Sequence, residues 1–559
     1  MTLAALSKIL KEKATSRPFR AGALVSVILI GSLMAFFYFH TRFIRSQAPE
    51  FLTFPELQKL SQNPHPVGLL GWKLEKFWTT PILSNQAYYE GVRPSPSKDP
   101  RLGPTLHLAS WNIEKSIQMK DAITVFASAE EFGALIDLEK APEGSEEYKT
   151  ILRQRERLAK ADVILLQEMD IGVKRSGYIN AAKDLAEALK MNYAYAPEQL
   201  EIDPVYLGLE EIVYSDGTVD REQTDFYAAD PARYKGAFGT AVLSRYPIKS
   251  AKAFQLKNVA YDWYEGEKSK PGFVEKARQA GAEVLFHNQF TREMKAGGRT
   301  FFRVDLAVPG LPEDTLTIIN IHLEIKCTPK EREAQTAEIL AHIKHIKHPV
   351  VMMGDFNAAP EDLSPTSAMR IAERTIKSPT TWLNVAVTAL LPQALIINAS
   401  RFVSNFTKNR DDPLAPDIAV IAPNPLHPLF QMIQNFRFSD GGAFDFRGDS
   451  GRAMNGKTGA LANSNERDLK GFKTSWSVDR PISFIGKYRL DWVFVKSAYL
   501  KDPYNKDAPY RMAPHFGETL EELNTGLKVP VSDHHPNVVD LPFKEPKFEE
   551  PAPPPPAPS

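Results

Sequence analysis

The sequence has a single cysteine, Cys327, among its 559 residues. One cysteine excludes an intramolecular disulfide framework and any zinc or iron–sulfur site built from several cysteines. The chain also lacks net charge, with 68 basic against 68 acidic residues, so it is not a strongly basic nucleic-acid binder. Its content of 43% hydrophobic and 10% aromatic residues is instead that of a globular protein that can bury a core.

One segment, residues 21–40, contains no Asp, Glu, Lys or Arg. As a helix its 20 residues would reach roughly 30 Å, the thickness of the hydrocarbon core of a bilayer. Five basic residues precede the segment and two follow it closely, which predicts a cytoplasmic N-terminus over residues 1–20, a single transmembrane helix and an extracytoplasmic remainder. The alternative is a signal peptide cleaved after Ser46-Gln47-Ala48, which would leave a secreted protein.

The rest of the chain divides by composition. Residues 41–104 are rich in Pro, Ser and Asn, which predicts a spacer that partly packs on the domain. Residues 105–543 alternate strand-length apolar runs with helical patterns, which indicates one α/β (α+β) catalytic domain. This range is long for a single core, so we expect insertions at about 200–300 and 365–485. The Pro-rich end, residues 544–559, predicts a disordered tail.

Polar side chains recur at the ends of the predicted strands. Side chains alternate in a strand, so residues two apart share a face. The shared-face sets are Asn112 with Glu114, Asn320 with His322 and Glu324, Asp355 with Asn357, and Arg489 with Asp491. Strands that turn polar at one end are how α/β enzymes present chemistry on a rigid scaffold, and this predicts an active site.

Seven short motifs, in order, carry a family resemblance. They are SWNIE (110–114), LLQEMD (165–170), SRYPI (244–248), NIHLE (320–324), GDFN (354–357), RLDWVFV (489–495) and SDHHP (532–536). Together they resemble the endonuclease/exonuclease/phosphatase superfamily, which includes deoxyribonuclease I and neutral sphingomyelinases. The resemblance implies a four-layer α/β/β/α sandwich of two packed mixed sheets, with the active site where the loops of both sheets converge.

The resemblance also implies roles for individual residues. A phosphate ester needs a hard divalent cation, an activated water and stabilisation of the leaving group. Glu168 and Asn112 match the family's ligands of Mg²⁺, with Mn²⁺ as an alternative, and Asp533 would be a second contact to metal or water.

The remaining roles concern proton transfer and substrate binding. Asp355 matches the residue that orients or deprotonates the attacking water. His534 matches the catalytic imidazole and Asp491 its carboxylate partner; we choose His534 over His535 because neighbours in an extended segment point in opposite directions. Asn357 matches the residue that binds the phosphoryl group. His322 and Asn320 match a second pair that contacts phosphate, and His322 could also protonate the leaving group. Arg175, in MDIGVKRSG, is a candidate for binding substrate phosphate.

The sequence therefore predicts a membrane-tethered, divalent-metal-dependent hydrolase of phosphate esters. The substrate stays open between nucleic acid and a phospholipid or inositol phosphate, so a nuclease, a phosphatase and a sphingomyelinase-like phospholipase are all candidates. A second class is a non-catalytic binding module of the same fold. No obligate protein partner is evident.

Overall fold

The computed structural model of the protein describes residues 31–32, 43–213, 218–268, 293–358, 417–419, 422–423, 426–454, 474–482 and 485–546. None of the helices within these ranges is both long and apolar enough to cross a bilayer. The predicted transmembrane segment 21–40 lies outside the described residues except for Gly31 and Ser32. The N-terminal segment 1–20, most of the insertion 365–485 and the tail beyond residue 546 are likewise outside them.

The described residues form nineteen strands. In chain order these are β1 (Ser46–Gln47), β2 (Ile82–Ser84), β3 (Ser97–Asp99), β4 (Gly103–Asn112), β5 (Val163–Ile171), β6 (Asn192–Glu201), β7 (Ala237–Ser244), β8 (Ile248–Gln255), β9 (Lys295–Gly297), β10 (Thr300–Ala307), β11 (Thr315–His322), β12 (Val350–Asp355), β13 (Asp417–Ala419), β14 (Ala422–Pro423), β15 (Trp476–Ile482), β16 (Ile485–Tyr488), β17 (Asp491–Lys496), β18 (His515–Thr519) and β19 (Asn537–Pro542).

Most of these strands belong to two mixed sheets. The larger sheet has ten strands in the order β1-β2-β6-β7-β5-β4-β19-β18, with β3 added beside β4 and β9 beside β6. The smaller sheet has five strands in the order β17-β12-β11-β10-β8. Each sheet contains one parallel pair, β4 with β5 and β11 with β12, and antiparallel neighbours around it. The two parallel pairs bring the carboxyl ends of four strands to the same side of the molecule.

Twelve α-helices accompany the strands within the described residues. They are α1 (Phe54–Gln62), α2 (Gly68–Thr79), α3 (Gln86–Tyr89), α4 (Met119–Ala127), α5 (Ala129–Phe132), α6 (Glu146–Ala159), α7 (Ala181–Leu189), α8 (Arg221–Tyr227), α9 (Trp263–Lys268), α10 (Pro329–Ile343), α11 (His427–Asn435) and α12 (Glu521–Thr525).

Three apolar clusters define the layers. One cluster joins the outer face of the larger sheet to α1, α2, α4, α6 and α7, a second lies between the two sheets, and a third joins the smaller sheet to α10 and α11. The order is helices, sheet, sheet, helices, a mixed α/β fold with two packed mixed sheets. The six strands that the apolar runs predict at residues 106–114, 161–168, 240–248, 315–324, 349–357 and 488–495 are confirmed, although Pro247 divides the third into the end of β7 and the start of β8.

The segment predicted as a spacer is a structural part of the domain. Strand β2 pairs with β6 and β1 pairs with β2, so residues 46–84 extend the larger sheet at its edge. Leu57, Leu60 and Phe77, from α1 and α2, are fully buried in the outer apolar cluster. Packing of this segment on the domain was expected in part, and the structure shows two helices and an edge strand that its Pro- and Ser-rich composition did not reveal.

The insertion predicted at about 200–300 includes two strands of the core sheets. Residues 237–255 lie inside that range, yet they form β7 in the larger sheet and β8 in the smaller one. Both strands bury apolar side chains between the sheets, among them Val242, Ile248 and Ala253. The additional elements of this region are thus confined to the stretches on either side of these two strands.

Candidate active site

Strand ends from both sheets meet at one place. In the smaller sheet, His322, Asp355 and Asp491 lie side by side, because His322 pairs with Asp355 and Asp355 with Asp491 in the strand register. Asn112 ends β4 in the larger sheet, and its side-chain Nδ2 donates to Oδ2 of Asp355 at 3.2 Å. The two sheets therefore place these four predicted residues around one centre.

A bulge in β5 positions Glu168. The register between β5 and β7 shifts between Leu166 and Met169, and Glu168 has a left-handed backbone conformation with φ of 59°. Such bulges re-aim a side chain out of the alternating strand pattern. The amide of Asn112 donates to Oε1 of Glu168 at 3.3 Å, and the Lys115 backbone N–H donates to Oε2 at 3.2 Å. Asn112 is thus a bridge between the carboxylates of Glu168 and Asp355.

The segment SDHHP holds His534 against both sheets. The indole N–H of Trp111 donates to the backbone carbonyl of His534 at 3.0 Å, which ties the segment to β4. The imidazole Nδ1 of His534 lies 2.8 Å from Oδ2 of Asp491, and its Nε2 lies 3.8 Å from Oδ2 of Asp355. His535 points the other way and its Nδ1 lies 3.3 Å from the amide of Asn524. The structure thus brings together His534, Asp491 and Asp355.

Asn357 is fixed to the carboxylate of Asp355. Its backbone N–H donates to Oδ1 of Asp355 at 2.7 Å, and its side-chain amide donates to Oδ2 at 3.2 Å. The same amide donates to the carbonyl of Leu323 at 2.9 Å. This network orients the carboxylate of Asp355. It uses the backbone N–H and the side-chain nitrogen of Asn357 but not its side-chain oxygen.

The charges of the site depend on burial and on close neighbours. Burial alone disfavours a charged imidazole, but Asp491 and Asp355 outweigh it and hold the pKa of His534 well above its ordinary value. For Asp355, burial raises the pKa, although His534 opposes the shift. For Glu168, burial acts in the same direction, but His322, Lys115 and His534 outweigh it and lower the pKa. These shifts favour the imidazolium form of His534 and the ionised form of Glu168.

The carboxyl groups of Asp533 and Glu114 also border the site. The motifs assign no role to Glu114. The backbone N–H of Asp533 donates to Oε2 of Glu114 at 3.0 Å, and the indole N–H of Trp476 donates to Oδ2 of Asp533 at 2.6 Å. Burial, together with Asp533 and Glu168, raises the pKa of Glu114 to about 8. Glu114 follows Asn112 by two residues in the sequence, and that spacing is the signal that could have included it.

His322 lies in a buried ion network that extends the site. Its Nδ1 is 2.9 Å from Oε2 of Glu198, and its Nε2 is 3.8 Å from Oε1 of Glu168. The guanidinium of Arg299 contacts Glu198 at 2.9 Å and Glu324 at 3.2 Å, and its Nη1 lies within 2.9 Å of both ring nitrogens of His322. Glu198 lies three residues before the end of β6 and Arg299 precedes β10, and neither belongs to a recognised motif.

Asn320 does not face the open site. Its side-chain oxygen accepts a bond from the amide of Gln167 at 2.6 Å, and its amide donates to the carbonyls of Leu166 and Ala241 at 3.0 and 2.8 Å. All three partners belong to the larger sheet, whereas Asn320 lies in the smaller one. The structure therefore does not bring Asn320 to the centre with the other predicted residues, because its hydrogen-bonding groups join the two sheets; a role in binding substrate stays a prediction.

Arg175 is also committed to protein partners. Its guanidinium makes two bonds to Asp170, at 2.8 and 2.9 Å, and one to Glu201 at 2.8 Å. Both carboxylates are buried, and they use the bidentate face with which an arginine would bind phosphate. The structure thus places Arg175 in a buried ion network, and a role in binding phosphate stays a prediction.

Comparison with known proteins identifies the family. The model described as "Endonuclease/Exonuclease/phosphatase family" matches residues 109–534. The chain belongs to this family. Members of the endonuclease/exonuclease/phosphatase family generally hydrolyse phosphate esters, typically with divalent metal ions. No curated relative matches the sequence significantly.

Solved structures of similar proteins are distant in sequence. An endonuclease/exonuclease/phosphatase from Beutenbergia cavernae DSM 12333 is 16% identical, with 79% of this chain and 72% of that chain covered and a TM-score of 0.34. The human Nocturnin catalytic domain with bound sulfate anion is 12% identical, with 79% and 95% covered and a TM-score of 0.32. An AP endonuclease from Archaeoglobus fulgidus is 10% identical, with 78% and 98% covered and a TM-score of 0.33. The family assignment rests on the match to the family model.

The oxygen-rich centre fits the divalent cation that the family implies. Among the described residues, no group of three His, Cys, Asp or Glu side chains is gathered closely enough to form a complete cage. Mg²⁺ does not require one, because it is usually bound by one or two carboxylates and keeps several waters. Burial and mutual repulsion raise the pKa values of Glu114 and Asp533 beside Glu168, and a bound cation would relieve that repulsion.

Proposed function

We propose that this protein is a divalent-metal-dependent hydrolase of phosphate esters. The observation that supports it most strongly is the arrangement of His534 between Asp491, at 2.8 Å, and Asp355, at 3.8 Å. The Asn112 amide links Asp355 in turn to Glu168. A cationic imidazole, a water-orienting carboxylate and an oxygen-donor pair are the groups that hydrolysis of a phosphate ester needs.

Each residue of the centre has a proposed task. Glu168 and Asn112 would hold the cation, with Asp533 beside them, and the bound cation would neutralise charge on the phosphoryl and leaving oxygens. Asp355 orients the attacking water and accepts its proton. The protonated His534 donates to a phosphoryl oxygen, and Asp491 accepts from its Nδ1 and so orients the ring and favours its charge. Asn357 binds the phosphoryl group, and His322 protonates the leaving group.

The proposal covers a phosphodiesterase, including a nuclease, and a phosphatase. We also propose that residues 21–40 tether the enzyme to a membrane with residues 1–20 in the cytoplasm and the catalytic domain outside. The apolar run and the distribution of basic residues around it support this topology. Cleavage after residue 48 would instead release the domain and would remove two residues that form β1.

The test is hydrolysis of bis-p-nitrophenyl phosphate and p-nitrophenyl phosphate by the full chain in detergent micelles. Reactions contain Mg²⁺, Mn²⁺ or EDTA. We expect metal-dependent turnover that falls by about 10²–10⁴-fold in Glu168→Gln and His534→Asn. The preferred ester distinguishes a diesterase from a phosphatase.

Two exposed residues provide matched controls. Glu156→Gln and His345→Asn make the same chemical changes at solvated positions, and we expect wild-type turnover from both. Full activity in EDTA, or activity retained by both active-site variants, would contradict the proposal. Metal binding without turnover on any ester would favour the binding module.

A further inference from the structure

The N-terminal segment enters the domain at the end of the larger sheet that is remote from the active site. Ser46 of β1 pairs with Ser84 of β2, and Ser84 pairs with Tyr193 near the start of β6. The neighbouring Asn192 pairs with Ser244, the last residue of β7. The chain therefore joins the sheet at the start of β6 and the end of β7.

The active site lies at the opposite ends of the same strands. Strand β6 ends at Glu201, which contacts Arg175. Glu198, which contacts His322, lies three residues before that end. At about 3.3 Å per residue, the five residue steps from Tyr193 to Glu198 separate the entry end from the active-site end by roughly 17 Å. Asn112 and Glu168 also lie in the carboxyl-terminal parts of their strands, at the same end of the sheet as Glu198.

The end of the sheet where the chain enters carries aromatic and basic side chains. Phe43 packs edge-on against Tyr88 with ring centroids 5.2 Å apart, and the Tyr89 hydroxyl donates to the carbonyl of Phe43 at 2.5 Å. The guanidinium of Arg93 lies 4.1 Å from the Tyr88 ring centroid, and that of Arg45 lies 5.6 Å from the ring of Tyr89. We call these five residues the tether face.

We infer that the tether face lies against the bilayer and that the candidate active site opens away from it. Only Thr41 and Arg42 separate the apolar run 21–40 from Phe43, and three residue steps reach at most about 11 Å. The face therefore stays within reach of the membrane surface. Tyrosine favours the membrane–water interface, and arginine is attracted to anionic headgroups. Ile44 beside them is 48% exposed, an apolar side chain suited to the same boundary.

This orientation narrows the substrate class. It rests on the proposed hydrolytic function and on the proposed anchor. With the catalytic centre roughly 17 Å beyond the tether end of β6, the phosphodiester of a lipid in that same membrane does not reach it. The enzyme therefore acts on a water-soluble phosphate ester that approaches from the side facing away from the membrane.

Fluorescence quenching in vesicles tests the orientation without relying on catalysis. Cys327 is the single native cysteine and is buried, so Cys327→Ser supplies a background for one added thiol. Ser95→Cys places a label beside Arg93 near the tether face. Val529→Cys places one at an exposed position five residues before His534. The full chain is reconstituted in vesicles of phosphatidylcholine and phosphatidylglycerol that contain lipids with a nitroxide on the headgroup.

We expect the headgroup nitroxide to quench the label at residue 95 and to leave the label at residue 529 at full intensity. Quenching at residue 529, quenching at both positions, or quenching at neither would overturn the inference. Release of the full chain from the vesicles by alkaline carbonate would overturn it as well.

Activity of the same vesicles separates the two proposals. We expect hydrolysis of soluble bis-p-nitrophenyl phosphate but not of the phosphatidylglycerol in the vesicle. Hydrolysis of the lipid would overturn the inferred orientation and keep the proposed function. Quenching as expected with neither ester cleaved would support the orientation and count against the function.

Discussion

The imidazole Nδ1 of His534 lies 2.8 Å from Oδ2 of Asp491, although 42 residues separate the two in the chain. Asp491 begins β17 and His534 follows α12, so the pair joins the smaller sheet to the larger one. Burial disfavours the charged imidazole, and Asp491 is the largest influence that raises the pKa of His534 against it. The pair therefore favours the positively charged form of His534.

Replacing Asp491 by asparagine should weaken that charge. We expect Asp491→Asn to lower kcat by about 10²–10⁴-fold, since the amide does not stabilise the imidazolium. Loss of the carboxylate lowers the pKa of His534, so the basic limb of the pH–rate profile should move to lower pH. Steady-state kinetics from pH 5 to 10 check both effects. The exposed Asp507→Asn is the control; an unchanged basic limb in Asp491→Asn would show that His534 does not titrate in catalysis.

The sequence predicted which residues converge at the centre of the candidate site, because these residues lie at the ends of buried strands. The apolar runs ending at Asn112, at Asp355 and beginning after Arg489 predicted strands, and parallel neighbours bring such ends together. Nothing in the local pattern marked the bulge that re-aims Glu168, because its cause is the pairing of β5 with β7. Motif similarity alone identified this residue.

The partners of the site residues could not be predicted in the same way. Glu198, within β6, and Arg299, just before β10, are charged residues outside any motif, and their contact with His322 exists only after β6 and β10 pack together. Asn320 was expected to bind substrate because the same motif contains His322. In a two-sheet fold, alternate residues of a central strand face the other sheet, and Asn320 uses that position to bind Gln167.

Arg299 should be essential for stability and for the position of His322. Its guanidinium compensates the buried carboxylates of Glu198 and Glu324. Arg299→Met leaves both without their counter-ion, and breaking a buried pair typically costs about 3–5 kcal/mol. We expect a lower urea midpoint and reduced kcat.

A triple variant serves as the control for Arg299. Adding Glu198→Gln and Glu324→Gln to Arg299→Met removes the uncompensated charges, so the urea midpoint should recover while kcat stays low. If the triple variant were no more stable than Arg299→Met, the loss would stem from packing and not from unpaired charge.

Arg175 provides a test that distinguishes a phosphate ligand from a structural ion pair. Two bonds to Asp170 and one to Glu201 occupy its guanidinium. We therefore expect Arg175→Lys to lower the urea midpoint, because lysine does not reproduce the bidentate contact, and to leave KM for bis-p-nitrophenyl phosphate within about twofold. Exposed Arg233→Lys is the matched control. A tenfold or larger rise in KM with unchanged stability would support the assignment of Arg175 to substrate.

His515 should make the fold sensitive to acid. It is buried in β18, and its Nδ1 lies 2.8 Å from the carbonyl of Ala513, so the neutral ring donates there. Burial, with Arg452 nearby, lowers the pKa of His515 to about 3. The unfolded chain, with a histidine pKa of about 6.5, binds a proton that the folded chain excludes. The contribution of His515 to stability is therefore complete above about pH 6.5 and falls by up to about 1.4 kcal/mol per pH unit as the pH drops toward 3.

We expect His515→Asn, which keeps a donor for the Ala513 carbonyl, to lose less stability than the wild type between pH 7 and pH 5 in urea titrations followed by tryptophan fluorescence. His345→Asn, at an exposed position, should follow the wild type. Equal acid sensitivity in His515→Asn and the wild type would mean that His515 does not carry the effect.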